Sequence, residues 1–319
     1  MNKTQIMYLV FGIVIILALI FDLGLLSKKN KVVSIKTALK QTFFWVILAL
    51  GFFVFMWVEK GDVVALQYLS AYLMEWSLSI DNIFVFILIF SAFGVKEIYY
   101  GRALLIGIMM AIVFRVIFIT VGVALVNNFS WILYLFGAFL LYTGYKMFTA
   151  KEDDQFDPQE SKIYKFLKKY FPIVLHDGNG KYIIRENGKR KYTTLFVVVM
   201  VLAGIDLVFA LDSIPAVMGV SRDTMVIYTS NIFAVLGLRS LFFLLRGAVK
   251  KFAHMQQGIA IVLIFVGLKM LTEHWLNLIM HRNIQVLLSL AVIMVCIAGS
   301  IVYSIYSGDA DSDNSENQV

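Results

Sequence analysis

Apolar residues run along this chain in long blocks separated by short polar stretches. Nine blocks stand out, at about 7–26, 41–58, 65–93, 103–125, 130–148, 194–217, 225–246, 257–273 and 285–305. About 20 such residues as helix cross a hydrocarbon core of about 30 Å, so the pattern predicts an all-α membrane protein of about nine transmembrane helices. The first block, "MYLVFGIVIILALIFDLGLL", is too long for a signal core and is followed by lysines, so it reads as a retained helix. The third is long enough to be tilted or broken.

One sizeable polar segment, 149–193, divides the blocks. Within it "SKIYKFLKKYF" has the pattern of an amphipathic helix. "YIIRENGKRKY" has that of a hairpin turning at Asn187-Gly188. The chain thus divides into helices one and two (1–64), spans three to five (65–148), a basic loop (149–193), spans six to eight (194–275), a ninth helix (276–307) and an acidic tail (308–319) expected to be disordered.

Composition adds weight to the membrane reading. Of 319 residues 60% are hydrophobic and 15% charged, against about 25% charged in soluble domains. The net charge of +7 could suggest nucleic acid, but its placement argues otherwise. The loops after spans one, three, five and seven, with Lys146 and Arg246 at span ends, hold 21 of the 28 lysines and arginines; the N-terminus and the remaining loops hold 4. The positive-inside rule then sets the N-terminus outside and the C-terminus in the cytoplasm. The single cysteine, Cys296, excludes an internal disulfide.

A repeat lies hidden in the spans. "EWSLSIDNIF" (75–84) answers "DLVFALDSIP" (206–215), matching Glu75, Asp81 and Asn82 with Asp206, Asp212 and Ser213. "FRVIF" (114–118) answers "LRSLF" (238–242), setting Arg115 against Arg239, and "GYKM" (144–147) answers "GLKM" (267–270). Spans 3–5 and 6–8 read as two three-helix repeats. The loop count gives them opposite directions, the inverted arrangement of secondary transporters, whose ion sites lie near the midplane.

Asp22, Glu75, Asp81, Asp206 and Asp212 lie within spans. A carboxylate there costs about 2.5–3.5 kcal/mol on insertion scales, so these side chains are expected to face the bundle interior. Carboxylates, an amide and hydroxyls form a hard oxygen set suited to Mg²⁺, Ca²⁺ or Mn²⁺. His176, His254, His274 and His281 fall in loops or at span ends, away from such a site. Residues six apart on a helix sit about 120° apart around the axis and about 9 Å along it. Glu75 and Asp81, like Asp206 and Asp212, are therefore either successive stations or partners across an unwound turn near Pro215. A second reading has the carboxylates pair with Arg115 and Arg239 as interhelical clamps; Asp22 and Asn231 are further accessory candidates. No P-loop, HExxH or GxSxG motif is present, so ATP coupling and a familiar hydrolase are both unsupported.

At these residues the chain resembles the TerC family of integral membrane proteins, in particular its Alx-type manganese exporters. "EWSLSIDNIFVF", "SWILYLFGAFLLYTGYKMF", "DLVFALDSIPAVMGV" and "TSNIFAVLGLRSLFFLL" carry the resemblance. It implies a bacterial inner-membrane protein of the LysE-like transporter group. It also implies manganese export, with Glu75, Asp81, Asn82, Asp206 and Asp212 at matching positions and Asp22 matching a first-helix aspartate. Ala203 stands where many members carry a glutamate.

The expectation is a non-enzymatic secondary transporter that exports Mn²⁺ through a midplane carboxylate site, with no resident cofactor and with protons as candidate counter-ions. Glu75, Asp81, Asn82, Asp206, Asp212 and Ser213 are the expected ligands. The alternatives are a calcium or broad divalent-cation transporter, or a membrane scaffold assisting insertion or metallation of exported proteins.

Overall fold

The computed structural model describes residues 3–22, 32–129, 131–149, 159–186, 188–246 and 255–316, with side chains at all of these but 3, 4, 21, 81, 84, 255, 256, 273, 274, 282 and 305–316. Ten α-helices are described: α1 (Lys3–Phe21), α2 (Ile35–Lys60), α3 (Asp62–Ala92), α4 (Glu97–Asn128), α5 (Ile132–Thr149), α6 (Lys162–Tyr170), α7 (Thr194–Val220), α8 (Thr224–Leu245), α9 (Met255–Ile279) and α10 (Arg282–Glu316). Seven are long and apolar enough to cross a membrane: α2 to α5, α7, α8 and α10 over Asn283–Ser304. Shorter apolar stretches, Gln5–Ile20 and Gln257–Thr272, lie in α1 and α9, where the first and eighth blocks stand. The chain is an all-α multi-pass membrane protein.

Side chains mark several helix starts. The Ser34 hydroxyl accepts from the Thr37 amide at the head of α2, and Asp223 accepts from the Met225 amide at the head of α8. Each satisfies a donor that the first helical turn leaves over. Only Gly61, at φ 88°, separates α2 from α3, a backbone angle that a residue with a Cβ rarely adopts.

Packing sorts the helices. Of the α8 span 89% is buried, against 17% for α10, so α8 runs through the middle of the bundle while α10 shows most of its surface outward. The main pairings set α3 beside α8, α4 beside α7 and α5 beside α9. At the last seam small residues let the backbones touch. A Cβ on Gly267 would stand 2.8 Å from the Gly137 carbonyl oxygen, and one on Gly144 2.9 Å from that of Ala260. Close approach of this kind is how membrane helices gain packing energy without a hydrophobic driving force.

The basic loop is folded against the bundle. Helix α6 starts at Ser161, whose hydroxyl accepts from the Tyr164 amide. Strands β1 (Ile183–Glu186) and β2 (Lys189–Tyr192) pair antiparallel in the register Ile183 with Tyr192 and Glu186 with Lys189, the expected hairpin. Lys96 pairs with Asp177 at 2.7 Å, Tyr99 packs on Gly180, and the Arg102 guanidinium lies over the Tyr182 ring. The Lys96 ammonium holds the Asp177 carboxyl below the usual range.

One open alternative closes and one expectation is corrected. α3 and α7 are continuous, so the unwound alternative is not taken; α7 carries Pro215 inside it. A proline removes one backbone bond, and the packed neighbours hold the remaining ladder. The tail expected to be disordered from 308 continues as helix to Glu316, since extending a formed helix adds one hydrogen bond per residue fixed. Residues 317–319 lie outside the described residues.

Candidate cation site

Three side chains from three helices meet in the middle of the bundle. Arg115 of α4 donates from Nε to Asp206 Oδ2 at 2.8 Å and from Nη2 to Asp206 Oδ1 at 3.2 Å, a two-point grip on a carboxylate of α7. Its Nη1 donates to Glu75 Oε2 of α3 at 3.0 Å. Asn231 of α8 completes the group, donating from Nδ2 to Glu75 Oε1 at 2.6 Å. Glu75, Arg115 and Asp206 are each 2% exposed or less, so water screens none of these charges. The planar guanidinium fork matches carboxylate geometry, which an ammonium could not.

The charge count matters. With both carboxylates ionised, Glu75 and Asp206 carry two negative charges against one on Arg115, leaving one formal negative charge in excess. Oxygen atoms without partners occur on the same helices. Ser77 Oγ, Ser79 Oγ, Ser213 Oγ and Asn231 Oδ1 find no hydrogen-bond partner among the described residues. Buried polar atoms are nearly always paired, so four such oxygens on α3, α7 and α8 are unusual.

Asp212 and Asp22 bond to other partners. Asp212 is half-buried and turns to α5, where Thr143 Oγ1 donates to Oδ1 at 3.2 Å. Asn82 is buried in α3. Asp81 lies on the same helix, and its side chain is outside the described residues. Asp22 accepts from Gln41 Nε2 of α2 at 2.8 Å and pairs with Arg239 of α8. Among the described residues no three His, Cys, Asp or Glu side chains group as metal ligands. The clamp geometry therefore describes Glu75, Asp206 and Asp22, while Asp212 pairs with no arginine among the described residues. Gln41 and Thr143 were not singled out from the sequence; Gln41 sits in a polar run with Lys40 and Thr42, and Thr143 is an uncharged polar residue in an apolar stretch, so neither stood out.

Two further features border α7. An apolar crevice walled by Phe86, Leu104, Gly107, Ala111 and Leu202 includes Asp206. A polar cavity of about 180 Å³, lined by Gln67, Ser221, Arg222, Lys269, Asn277 and Gln285, lies at the C-terminal end of α7.

With this geometry in place, the comparisons decide the family. The model of the integral membrane protein TerC family matches residues 60–312. The chain belongs to the TerC family. An uncharacterized membrane protein of Myxococcus xanthus is 38% identical over 299 residues, covering 94% of this chain and 93% of that protein. One from Rickettsia prowazekii is 38% identical over 283 residues, covering 88% and 95%. The candidate membrane-bound redox modulator Alx of Salmonella typhi is 38% identical over 270 residues, covering 82% and 84%. No solved structure gives a significant match. The four residues of the central cluster all lie within the TerC match.

Proposed function

We propose that this TerC-family protein is a secondary transporter of the bacterial inner membrane that exports Mn²⁺ from the cytosol, its N-terminus outside and its C-terminus inside. The observation that carries the reading is the pair of repeat-matched carboxylates, Glu75 and Asp206, gathered at mid-bundle on a single guanidinium. Two carboxylates on one arginine, with unpartnered hard oxygens on the same helices, favour uptake of a cation or a proton, and oxygen ligands suit Mn²⁺ over softer metals. Calcium shares that chemistry and is the nearest rival substrate.

The inverted-repeat reading draws support from the packing. A two-fold axis exchanging α3 with α7, α4 with α8 and α5 with α9 would interchange the α3–α8 and α4–α7 pairs and map the α5–α9 seam onto itself. The glycine contacts follow suit: Gly144 corresponds to Gly267 and Gly137 to Ala260, so the contact of Gly137 with Gly267 becomes that of Ala260 with Gly144. In this scheme Arg115 holds the two carboxylates while no substrate is bound, and a divalent ion loosens that grip as it loads. Asp81, Asp212, Asn82 and Ser213 would be further stations along the path, which fits their continuous helices. A proton taken up by one of these carboxylates would serve the return step.

A scaffold role has one observation in its favour, the folded 159–193 segment docked on α4 through Lys96 and Tyr99. The redox name of the Alx relatives finds less support here, because a single cysteine cannot form a dithiol within one chain. Total manganese in cells lacking their own exporters tests the reading after a Mn²⁺ challenge. Wild type should lower it, and Asp212→Asn should not, at equal membrane level. Unchanged manganese with the wild type would move calcium and the scaffold reading ahead.

A further inference from the structure

Helix α6 has three faces with three different chemistries. On an ideal helix Ile163, Tyr164 and Leu167 share an arc of about 100°. That face meets the bundle: Tyr164 packs edge-on against Phe93, Leu167 is buried, and Ile163 Cδ1 sits 2.7 Å from where a Cβ on Gly204 would stand. Beside this arc come Phe166 and Tyr170, whose rings lie 4.7 Å apart and whose side chains are 57% and 61% exposed. The remaining arc carries Lys162, Lys165, Lys168 and Lys169, all exposed.

Position narrows what can cover the aromatic pair. Gly204 lies in the interior of α7, a spanning helix, and Gln159, just ahead of α6, donates from Nε2 to the Ala92 carbonyl at the end of α3. Helix α6 is therefore fastened to the spanning bundle at the membrane face where α3 ends. On the orientation read from the lysines and arginines, which this inference assumes, that face is cytoplasmic. Aromatic rings next to the bundle with lysines further out match the layering of a helix lying in the interface, its apolar side at the acyl boundary and its cations at the headgroups. The cytoplasmic leaflet is the one whose anionic lipids attract such cations.

We propose that α6 is an interfacial helix that binds anionic phospholipid headgroups of the cytoplasmic leaflet, with Phe166 and Tyr170 inserted and Lys165, Lys168 and Lys169 at the phosphates. The surface is separate from the cation cluster and can be tested without transport.

Full-length protein carrying Cys296→Ser and a spin label at Phe166→Cys or Lys168→Cys is placed in vesicles of phosphatidylcholine, with and without phosphatidylglycerol. With the anionic lipid present, the label at 166 should collide several-fold more with oxygen than with a water-soluble relaxant, and the label at 168 should do the reverse. Changing Lys165, Lys168 and Lys169 together to glutamine in the 166-labelled protein should raise aqueous access at 166 only where phosphatidylglycerol is present. Equal aqueous access at both labels overturns the proposal. A label at 166 shielded from both relaxants also overturns it, in favour of a protein partner. Insertion indifferent to lipid charge and to the lysines removes the anionic headgroup from it.

Discussion

Arg115→Met should leave almost no folded protein in the membrane. Removing the guanidinium strands Glu75 and Asp206 as two uncompensated carboxylates in the middle of the bundle, each 2% exposed or less. Breaking a buried ion pair in this one-sided way costs about 3–5 kcal/mol, a large share of the total stability of a typical domain, about 5–15 kcal/mol. The expected result is loss of the monodisperse peak in detergent chromatography. Adding Glu75→Gln and Asp206→Asn to the same chain should restore it, because the charges are then removed together. If Arg115→Met alone ran like the wild type, the three-residue cluster would not be a structural unit.

Gly267→Leu should be comparably damaging for a different reason. Its Cβ would fall 2.8 Å from the carbonyl oxygen of Gly137 and 3.1 Å from the Leu141 amide nitrogen, so backbone must move and not a flexible side-chain tip. Overpacking in a fitted core costs about 1–3 kcal/mol, and a shifted helix seam should cost more. Gly51→Leu is the control, since nothing lies within 4 Å of a Cβ there. Thermal unfolding in detergent should show Gly267→Leu well below the wild type and Gly51→Leu near it. Equal midpoints for the two variants would mean that α5 and α9 are not so tightly joined.

What could be read from the residues divides along physical lines. Spans, the amphipathic helix and the hairpin were legible because each is a local pattern whose period or turn chemistry lies within one stretch. Glu75 and Asp206 were legible as a matched pair because the repeat puts the same residue type at the same place twice. Their organiser was harder to assign. Arg115 lies 40 residues from Glu75 and 91 from Asp206, and spacing alone does not say which helices face one another. The six-residue step from Asp206 to Asp212 gave the better guide, since an offset of about 120° predicts that continuous helices point the two apart. The structure does so, sending Asp212 to Thr143. Asp22 and Arg239 are 217 residues apart; the clamp reading named Arg239 as a counter-charge, but spacing could not assign it to Asp22.

The most direct test of the export reading is Mn²⁺ flux in sealed proteoliposomes holding a manganese-sensitive dye, with and without an imposed pH gradient. Glu75→Gln and Asp206→Asn are the variants of choice, because each leaves Arg115 one carboxylate partner and should fold. The account predicts flux with the wild type, faster when a proton gradient opposes the metal, and near-background flux with both variants. Flux no greater than in protein-free vesicles, or undiminished flux in both variants, would contradict it.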